Sequence, residues 1–238
     1  AVGTFVLVGM GSLGVGTALA ASQNIGLLGL LIVVPVAFGL GLMAAIAIAG
    51  DASGGHFNPA VTLAAVLDGR VRWTTGLAYV VAQAIGAFGA SLFILLALSS
   101  AFVKATVNQA QDFGAGPDVA VRSFAIEVVL TAIFIAVILT VSARRPTVAV
   151  FVIPLTLTVI HIVGIPMSGA SVNPIRSLAP AVVTGTYDGL WVYLTAPFLG
   201  SVIGWALYKV LNPADELEGD DEDGLDDDEY EDSAVEPL

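Results

Sequence analysis

The sequence predicts an all-α membrane protein of six transmembrane helices and two re-entrant half-helices, arranged as an inverted repeat. Three observations support this fold class. The 238-residue chain is 57% hydrophobic and 12% charged, and this charged share is about half that of a soluble domain. Six apolar windows are long enough to cross a bilayer, and an Asn-Pro motif occurs twice between such windows.

A helix needs about 20 apolar residues to cross roughly 30 Å of hydrocarbon. No basic leader precedes the first window, so we expect a membrane span there rather than a cleaved signal. The six windows lie at approximately 2–21, 27–50, 72–98, 119–143, 147–166 and 188–211.

Two short segments, "SGGHFNPAVT" at 53–62 and "SGASVNPIRS" at 168–177, resemble each other. Asn followed by Pro is typical of a helix start. The apolar runs that follow end near Asp68 and Thr184, and about ten helical residues cover only about 15 Å, half of the hydrocarbon thickness. One such motif would indicate an ordinary capping turn, whereas two matched copies favour re-entrant half-helices.

The second half of the chain repeats the first in inverted orientation. Three windows separate the Asn58-Pro59 copy from the Asn173-Pro174 copy, and an odd number of spans inverts the second copy in the membrane. "AQAIGAFGA" at 82–90 also matches "APFLGSVIGWA" at 196–206. We expect a channel domain over 1–211 whose halves, about 1–98 and 119–211, are joined by a connector at 99–118 with no recognisable chemistry. Small residues spaced by four, Gly86 with Ala90 and Gly200 with Gly204, predict close helix packing.

The two half-helix starts are predicted to meet near the middle of the membrane. Their free N–H groups and positive dipole ends require a polar, water-filled interior. A neutral molecule that forms hydrogen bonds suits such a path, while cations and protons are opposed by the same field. We expect both Asn side chains to donate there, and backbone carbonyls of the preceding residues to line the path: Gly54, Gly55, His56, Phe57, Gly169, Ala170, Ser171 and Val172.

The charges predict the orientation of the chain. Residues 212–238 hold fourteen acidic and no basic residues, so the net charge of −12 comes from this tail and the rest is near +2. Basic residues gather on the side that holds both termini, which predicts that both termini are cytoplasmic. Such a tail is expected to be disordered and solvated. Solvation in concentrated salt, which suggests a halophilic source, is preferred over a regulatory role.

Several function classes are not supported by the sequence. It has no cysteine, and we find no metal-ligand cluster, no nucleophile with a base and no phosphate loop, so we expect no enzyme, metal, cofactor or nucleic-acid partner. A secondary transporter also uses broken helices in inverted repeats, but normally needs an ionisable residue at its site. Glu127 is the only acidic residue in the interior of a predicted span.

In these features the chain resembles the aquaporin (major intrinsic protein) family over roughly residues 1–211. The resemblance rests on the two Asn-Pro motifs, the "AQxxGA" pattern, and "ExxxT" at Glu127–Thr131. It implies that Glu127 anchors the N–H groups of a re-entrant loop, with a proton relay as the alternative. The first "ExxxT" would place its Glu one position before Ala1, so we expect that a few native residues precede this sequence.

The resemblance also implies a second constriction, the selectivity filter, formed by Phe38, His161, Ala170 and Arg176. Without the resemblance, a single histidine in a span would be interpreted as a core residue. A single aromatic residue would be interpreted as a core or lipid-facing residue. His161, and the Ser177 that follows Arg176, indicate a water channel rather than a glycerol channel. Family members that conduct glycerol typically have a small residue at the position of His161 and an Asp at the position of Ser177. Apolar wall residues are expected at Leu42, Val61, Leu157 and Val172.

Three departures from the family pattern bear on these expectations. Ala170 is smaller than the Thr or Cys of many water-selective relatives, which would admit slightly larger solutes. Ile175 replaces an alanine beside the half-helix junction, and Pro180 would shorten the second half-helix. The resemblance implies a multi-pass homotetramer in the cell membrane with one pore per subunit. Water is the preferred permeant, and glycerol or another small neutral solute is the alternative.

Overall fold

The computed structural model describes residues 1–20, 29–108 and 118–213, and all regular structure in these ranges is helical. The acidic tail from 214 onwards and residues 109–117 of the predicted connector lie outside the described residues. A π-helical turn, Gly29–Val33, precedes the second helix. The helices are α1 (Val2–Ala20), α2 (Val34–Ser53), α3 (Pro59–Leu67), α4 (Trp73–Ala97), α5 (Ser100–Ala105), α6 (Val119–Arg144), α7 (Pro146–Ser168), α8 (Pro174–Thr184) and α9 (Leu190–Leu211).

Five helices are long and apolar enough to cross a membrane, namely α2, α4, α6, α7 and α9. The most apolar window of each is only 28–44% buried inside the protein, so apolar side chains also cover the outer surface, as expected where lipid surrounds the chain. Helix α1 is apolar and slightly shorter, and its 19 residues cover about 28 Å. These helices lie where the sequence predicts spans, although the start of the 27–50 window falls outside the described residues.

Helices α3 and α8 are the two half-helices, with 9 and 11 residues, so they cover about 14 and 17 Å and do not span a bilayer. Each has Asn as its N-cap and Pro at its first position. Both half-helices are therefore confirmed. The expected shortening at Pro180 is wrong, because α8 continues through Pro180 to Thr184. A proline removes one helical hydrogen bond, and α8 tolerates that loss.

The inverted repeat appears in the packing of each half-helix against the other half of the chain. Helix α3 packs against α9, and α8 packs against α4. These two contacts correspond, since α4 and α9 are the last spans of their halves. Ser201 of α9 also donates a 2.7 Å hydrogen bond to the Ala60 carbonyl of α3. Neither half of the chain can by itself supply all the contacts that its half-helix makes in the structure.

The predicted close packing at small residues occurs in both halves. Gly86 of α4 lies against Ala1 and Thr4, and Gly200 and Gly204 of α9 lie against α6. At Gly204, a Cβ atom would lie 2.5 Å from the Ala132 carbonyl oxygen and 2.8 Å from the Ile135 Cβ. No real Cβ atom approaches backbone that closely, so these glycines set the distance between helices.

Ile175 does not lie at the junction of the half-helices. Its buried side chain belongs to a cluster with Val8 of α1, Ala87 and Ala90 of α4, and Ala179 of α8. The small alanines of α4 leave room for the larger isoleucine. The extra volume therefore fills the contact between α8 and its supporting helices, and Ile175 is not among the residues that line the main cavity.

A charged cluster closes the end of helix α3. The Asp68 carboxylate contacts Arg70 and Lys209, each at 2.7 Å. Arg70 also donates to the Ser142 hydroxyl at 2.7 Å and to the Leu139 carbonyl at 3.0 Å. Three segments that are distant in sequence, the end of α3, the end of α6 and the end of α9, are thereby held together.

We expect Gly204→Ala to destabilise the protein by about 1–3 kcal/mol, because the new methyl group overpacks the α6–α9 contact. The measurement is the midpoint of thermal unfolding in detergent. The matched control is Gly89→Ala in α4, where the new Cβ would lie 3.5 Å from the Phe5 ring, an ordinary contact. Equal midpoints for the two variants would contradict the role of Gly204.

We also expect a stability contribution from Asp68 that depends on pH. Burial raises the pKa of Asp68, but hydrogen bonds from Lys209 and Arg70 outweigh burial and lower the pKa below its ordinary value. A lowered pKa in the folded state stabilises the protein above the unfolded pKa, which is about 4, and this stability is lost as the pH falls through the folded pKa.

The check is the difference in unfolding midpoint between the original protein and Asp68→Asn, measured from pH 7 to pH 3. The difference should be constant above about pH 5 and shrink below about pH 4. Asp188→Asn, at an exposed position, is the control. A difference that stays constant to pH 3 would show that the Asp68 carboxylate is not the source.

Candidate functional site

The Asn58 side chain joins the two half-helices. Its Oδ1 atom accepts from the Ala60 N–H at 2.9 Å, which caps α3. Its Nδ2 atom donates to the Val172 carbonyl of the opposite loop at 2.7 Å. One side chain therefore satisfies a free N–H group of its own helix and a carbonyl of the other half.

Asn173 repeats this arrangement from the opposite side. Its Oδ1 atom accepts from the Arg176 N–H at 3.3 Å, and its Nδ2 atom donates to the Phe57 carbonyl at 3.1 Å. The two amides thus form a reciprocal pair of hydrogen bonds between the loops. Each Nδ2 atom carries two N–H donors, so one donor of each amide is used in this pair.

The residue before each Asn has a left-handed backbone. Phe57 has φ = 48° and Val172 has φ = 45°, a conformation that is rare for a non-glycine residue and costs about 1–3 kcal/mol. Ala170 is also left-handed, with φ = 48°. The strained carbonyls of Phe57 and Val172 are those that the two Asn side chains bind, so the reciprocal hydrogen bonds help to offset the strain.

The Glu127 carboxylate supports the second loop from α6. One oxygen accepts from the Ser171 N–H and the Ser168 hydroxyl, and the other accepts from the Val172 N–H, all at 2.8 Å. Glu127 is fully buried and is not among the cavity-lining residues. Tyr193 adds a 2.5 Å hydrogen bond to the Ser168 carbonyl. This geometry is what an anchoring role requires.

In the first loop, His56 contacts Thr62, with 3.2 Å between Nδ1 and Oγ1. Gln83 of α4 donates to the same hydroxyl at 2.9 Å. His56 also lines the main cavity. The His56 side chain therefore lies both at the cavity and against Thr62 of α3.

A cavity of about 610 Å³ passes between the two halves and is lined by both Asn58 and Asn173. Asp51, Arg70 and Ser142 lie at one end, and Phe38, His161 and Arg176 line the other. Phe38 and Asp51 are 13 positions apart on α2, which corresponds to about 20 Å. The cavity is thus long, and the two amides lie along it.

The predicted path residues divide into two groups. Phe57, Gly169 and Ala170 are not among the lining residues, and the neighbouring prolines Pro59 and Pro174 are not either. The carbonyl of Phe57 binds Asn173, and that of Gly169 accepts from the Asn108 amide at 3.0 Å. The predicted residues that do line the cavity are Gly54, Gly55, His56, Ser171 and Val172, with the wall residues Leu42, Val61 and Leu157.

Phe38, His161 and Arg176 come together at one end of the cavity. The Phe38 and His161 rings stack with their centroids 4.5 Å apart, and the Arg176 Cζ atom lies 4.7 Å from the Phe38 centroid. The His161 Nδ1 atom lies 2.9 Å from the Leu157 carbonyl oxygen. The buried His161 Nε2 atom has no hydrogen-bond partner among the described residues. A buried polar atom without a partner is costly unless water or a solute reaches it.

Ala170 lies beside this group but faces away from the cavity. A Cβ atom at Gly164 of α7 would lie 2.9 Å from the Ala170 Cβ, so the Ala170 methyl group points at that helix. Ala170 is fully buried and belongs to the main hydrophobic cluster. Its assignment to the filter stays a prediction.

The predicted connector contains two residues that hold Arg176, and neither was predicted from the sequence. Nη1 of Arg176 donates to the Thr106 carbonyl at 3.2 Å and to the Asn108 side-chain oxygen. The same Asn108 oxygen accepts from the Ser177 hydroxyl at 2.7 Å. The expectation of no chemistry in 99–118 is therefore wrong. No spacing signal links Asn108 to Arg176, because 68 residues separate them.

Among the described residues, no group of three or more His, Cys, Asp or Glu side chains is placed to hold a metal ion. Two charged side chains lie beside the second loop, Glu127 and Arg176, and both form hydrogen bonds with backbone groups. The arrangement offers fixed hydrogen-bond donors and acceptors along a cavity.

We expect Glu127→Gln to destabilise the protein by about 1–3 kcal/mol, because an amide nitrogen would face an N–H group and leave it without an acceptor. The unfolding midpoint in detergent is the measurement. Asp118→Asn, an exposed change at the start of the same helix, is the control. A midpoint equal to that of the control would rule out the anchoring role.

Comparison with known proteins agrees with this geometry. The model of the family described as "Major intrinsic protein" matches residues 1–208. Aquaporin Z of Photorhabdus laumondii is 36% identical over 88% of this chain and 94% of the relative. Glycerol uptake facilitator protein-like 6 of Lactiplantibacillus plantarum is 34% identical over 90% of this chain and 96% of its own length.

A solved structure shows the same fold. The X-ray structure of the aquaglyceroporin from Plasmodium falciparum matches with a TM-score of 0.75 and 24% identity, covering 91% of this chain and 95% of that chain. The half-helices, the reciprocal amide bonds and the family match lead to one conclusion. The chain belongs to the major intrinsic protein family of membrane channels.

Proposed function

We propose that the protein is a passive channel that conducts water down osmotic gradients and excludes ions and protons. The observation that carries this proposal is the position of Asn58 and Asn173, which line one long cavity from opposite half-helix starts. Fixed amide donors replace the hydrogen bonds that a water molecule leaves behind in bulk solvent. Apolar wall residues elsewhere bind water weakly and let it move on.

The same arrangement opposes cations. Two helix starts point at the middle of the cavity, and each carries about half a positive charge. Arg176 adds a fixed guanidinium at one end, held by Thr106 and Asn108. A cation entering this path loses hydration and meets positive potential. A water molecule that accepts from the Asn donors is also poorly oriented to relay a proton, so proton transfer along the file is opposed.

Water is favoured over glycerol because bulky and polar side chains gather at this end of the cavity. The Phe38 and His161 rings stack on each other with centroids 4.5 Å apart, and the unpartnered His161 Nε2 atom offers a site for a small hydrogen-bonding molecule. Glycerol is the second candidate. The match to a protein named as glycerol uptake facilitator-like favours it.

A secondary transporter is less well supported. Such a protein normally needs an ionisable group at its substrate or ion site. Both Glu127 oxygens accept hydrogen bonds from the second loop, and Glu127 is not among the cavity-lining residues. We therefore assign Glu127 to anchoring.

The assembly of the protein in the membrane belongs to the same proposal. The basic residues near the Arg70 end of the cavity favour a cytoplasmic location for that end and for both termini. We propose a homotetramer in the cell membrane, with one path per subunit. The channel domain would cover 1–211 and the acidic tail would be solvated, with its role open between solvation in salt and regulation.

The test uses the purified full chain in liposomes. Osmotic shrinkage measured by stopped-flow light scattering should be faster than in empty liposomes, with a low activation energy, while proton conductance stays unchanged. Equal shrinkage rates with and without protein would overturn the channel proposal. Glycerol uptake that is faster than in empty liposomes, measured as reswelling in a glycerol gradient, would favour the glycerol channel. Uptake that requires a pH or sodium gradient would favour a transporter.

We expect His161→Ala to raise glycerol flux by roughly tenfold, the size of effect that pocket contacts of this kind produce, because the constriction widens. Water flux should change less, since water already passes. Ile162→Ala, on the exposed face of the same helix, is the matched control. A glycerol flux equal to that of the control would show that His161 does not limit solute size.

A further inference from the structure

Three glycines of helix α1 each lie against the edge of a phenylalanine ring from another segment. At each position the ring occupies the space in which a Cβ atom would stand, so any larger residue would displace it. The reason for glycine here is close approach, not backbone conformation. The pairs are Gly3 with Phe57 of the first loop, Gly11 with Phe38 of α2, and Gly16 with Phe102 of α5.

The pair of Gly11 and Phe38 is the one that reaches the constriction. A Cβ atom at Gly11 would overlap three carbons of the Phe38 ring, Cδ1, Cε1 and Cζ. Phe38 lines the cavity, whereas Gly11 is not among the lining residues. The ring therefore lies between α1 and the cavity, with one edge set into the space that Gly11 leaves.

The remaining surroundings of the ring leave it little freedom. The His161 ring stacks on Phe38 with centroids 4.5 Å apart, and the Arg176 Cζ atom lies 4.7 Å from the ring centroid. Phe38 is only 2% exposed. A ring displaced from Gly11 must move toward these two side chains, which border the cavity.

We propose that Gly11 is a positioning residue that sets the width of the constriction by letting the Phe38 ring stand back against α1. The inference rests on the proposed function, in which Phe38 belongs to the selectivity filter. Gly11 touches no permeant itself. It acts through the ring, so the residue that determines the aperture lies one layer behind the cavity wall.

The first test compares Gly11→Ala with Gly9→Ala, both purified as full chains and reconstituted in liposomes. Gly9 is the matched control because a Cβ atom there would lie 3.9 Å from the Ala90 Cβ, an ordinary contact. Permeability is divided by the amount of folded protein in the vesicles. Gly11→Ala should lower osmotic water permeability per channel at least about threefold, since conduction depends on pore diameter, while Gly9→Ala leaves it unchanged.

A double variant separates the aperture from general packing damage. In the Phe38→Ala background there is no ring to displace, so adding Gly11→Ala should leave both water and glycerol permeability unchanged. The proposal is overturned if Gly11→Ala behaves like Gly9→Ala, or if it reduces permeability by the same factor in the Phe38→Ala background. The second result would mean that Gly11 acts on the packing of α1 and not on the ring.

If Gly11→Ala alone does not fold, the substitution is made in the Phe38→Leu background. The shorter leucine side chain leaves more space but still contacts the new methyl group. Phe38→Leu with Gly11→Ala should then pass glycerol at least about threefold more slowly than Phe38→Leu alone. Equal rates would overturn the proposal. Failure of the original protein to conduct water would instead overturn the proposed function, whereas conduction with equal Gly11→Ala and Gly9→Ala rates would overturn only this inference.

Discussion

The structure depends on a reciprocal pair of hydrogen bonds, from Asn58 to the Val172 carbonyl and from Asn173 to the Phe57 carbonyl. Two helices that begin in the middle of a membrane expose N–H groups that lipid cannot satisfy. Each Asn caps its own helix and holds the opposite loop at the same time. The strained backbone before each Asn, the anchor at Glu127 and the small residues behind the half-helices all serve to keep these two starts facing each other.

The residues that support the cavity wall lie on segments that are distant in sequence. Their contacts together give the cavity a defined shape. The second loop is held by Glu127 from α6, while Arg176 is held by Thr106 and Asn108 of the connector. On the other side, α1 accommodates the ring of Phe57 in the first loop and the ring of Phe38 at one end of the cavity. Hydrogen bonds fix the positions of the polar groups, and close packing at glycine fixes the positions of the apolar walls.

Much of this arrangement can be predicted from the sequence, because its signals are local. Asn before Pro marks a helix start, and the length of the following apolar run shows that the helix cannot span. The approximate positions of the spans follow from hydrophobicity alone. Contacts between distant segments carry no such signal. Three contacts of this kind depend on three-dimensional packing, and no spacing in the sequence predicts them. They are the hydrogen bond from Arg176 to Asn108, the packing of Ile175 against α1 and α4, and the contact of Ala170 with Gly164.

The cluster at the end of α3 has a consequence for biogenesis. Asp68 pairs with Lys209, and the Ala60 carbonyl accepts from Ser201, so the first half-helix is completed by the last helix of the domain. A ribosome makes those partners about 140 residues after Ala60. Until Ser201 and Lys209 have been synthesised, the first re-entrant segment lacks these contacts.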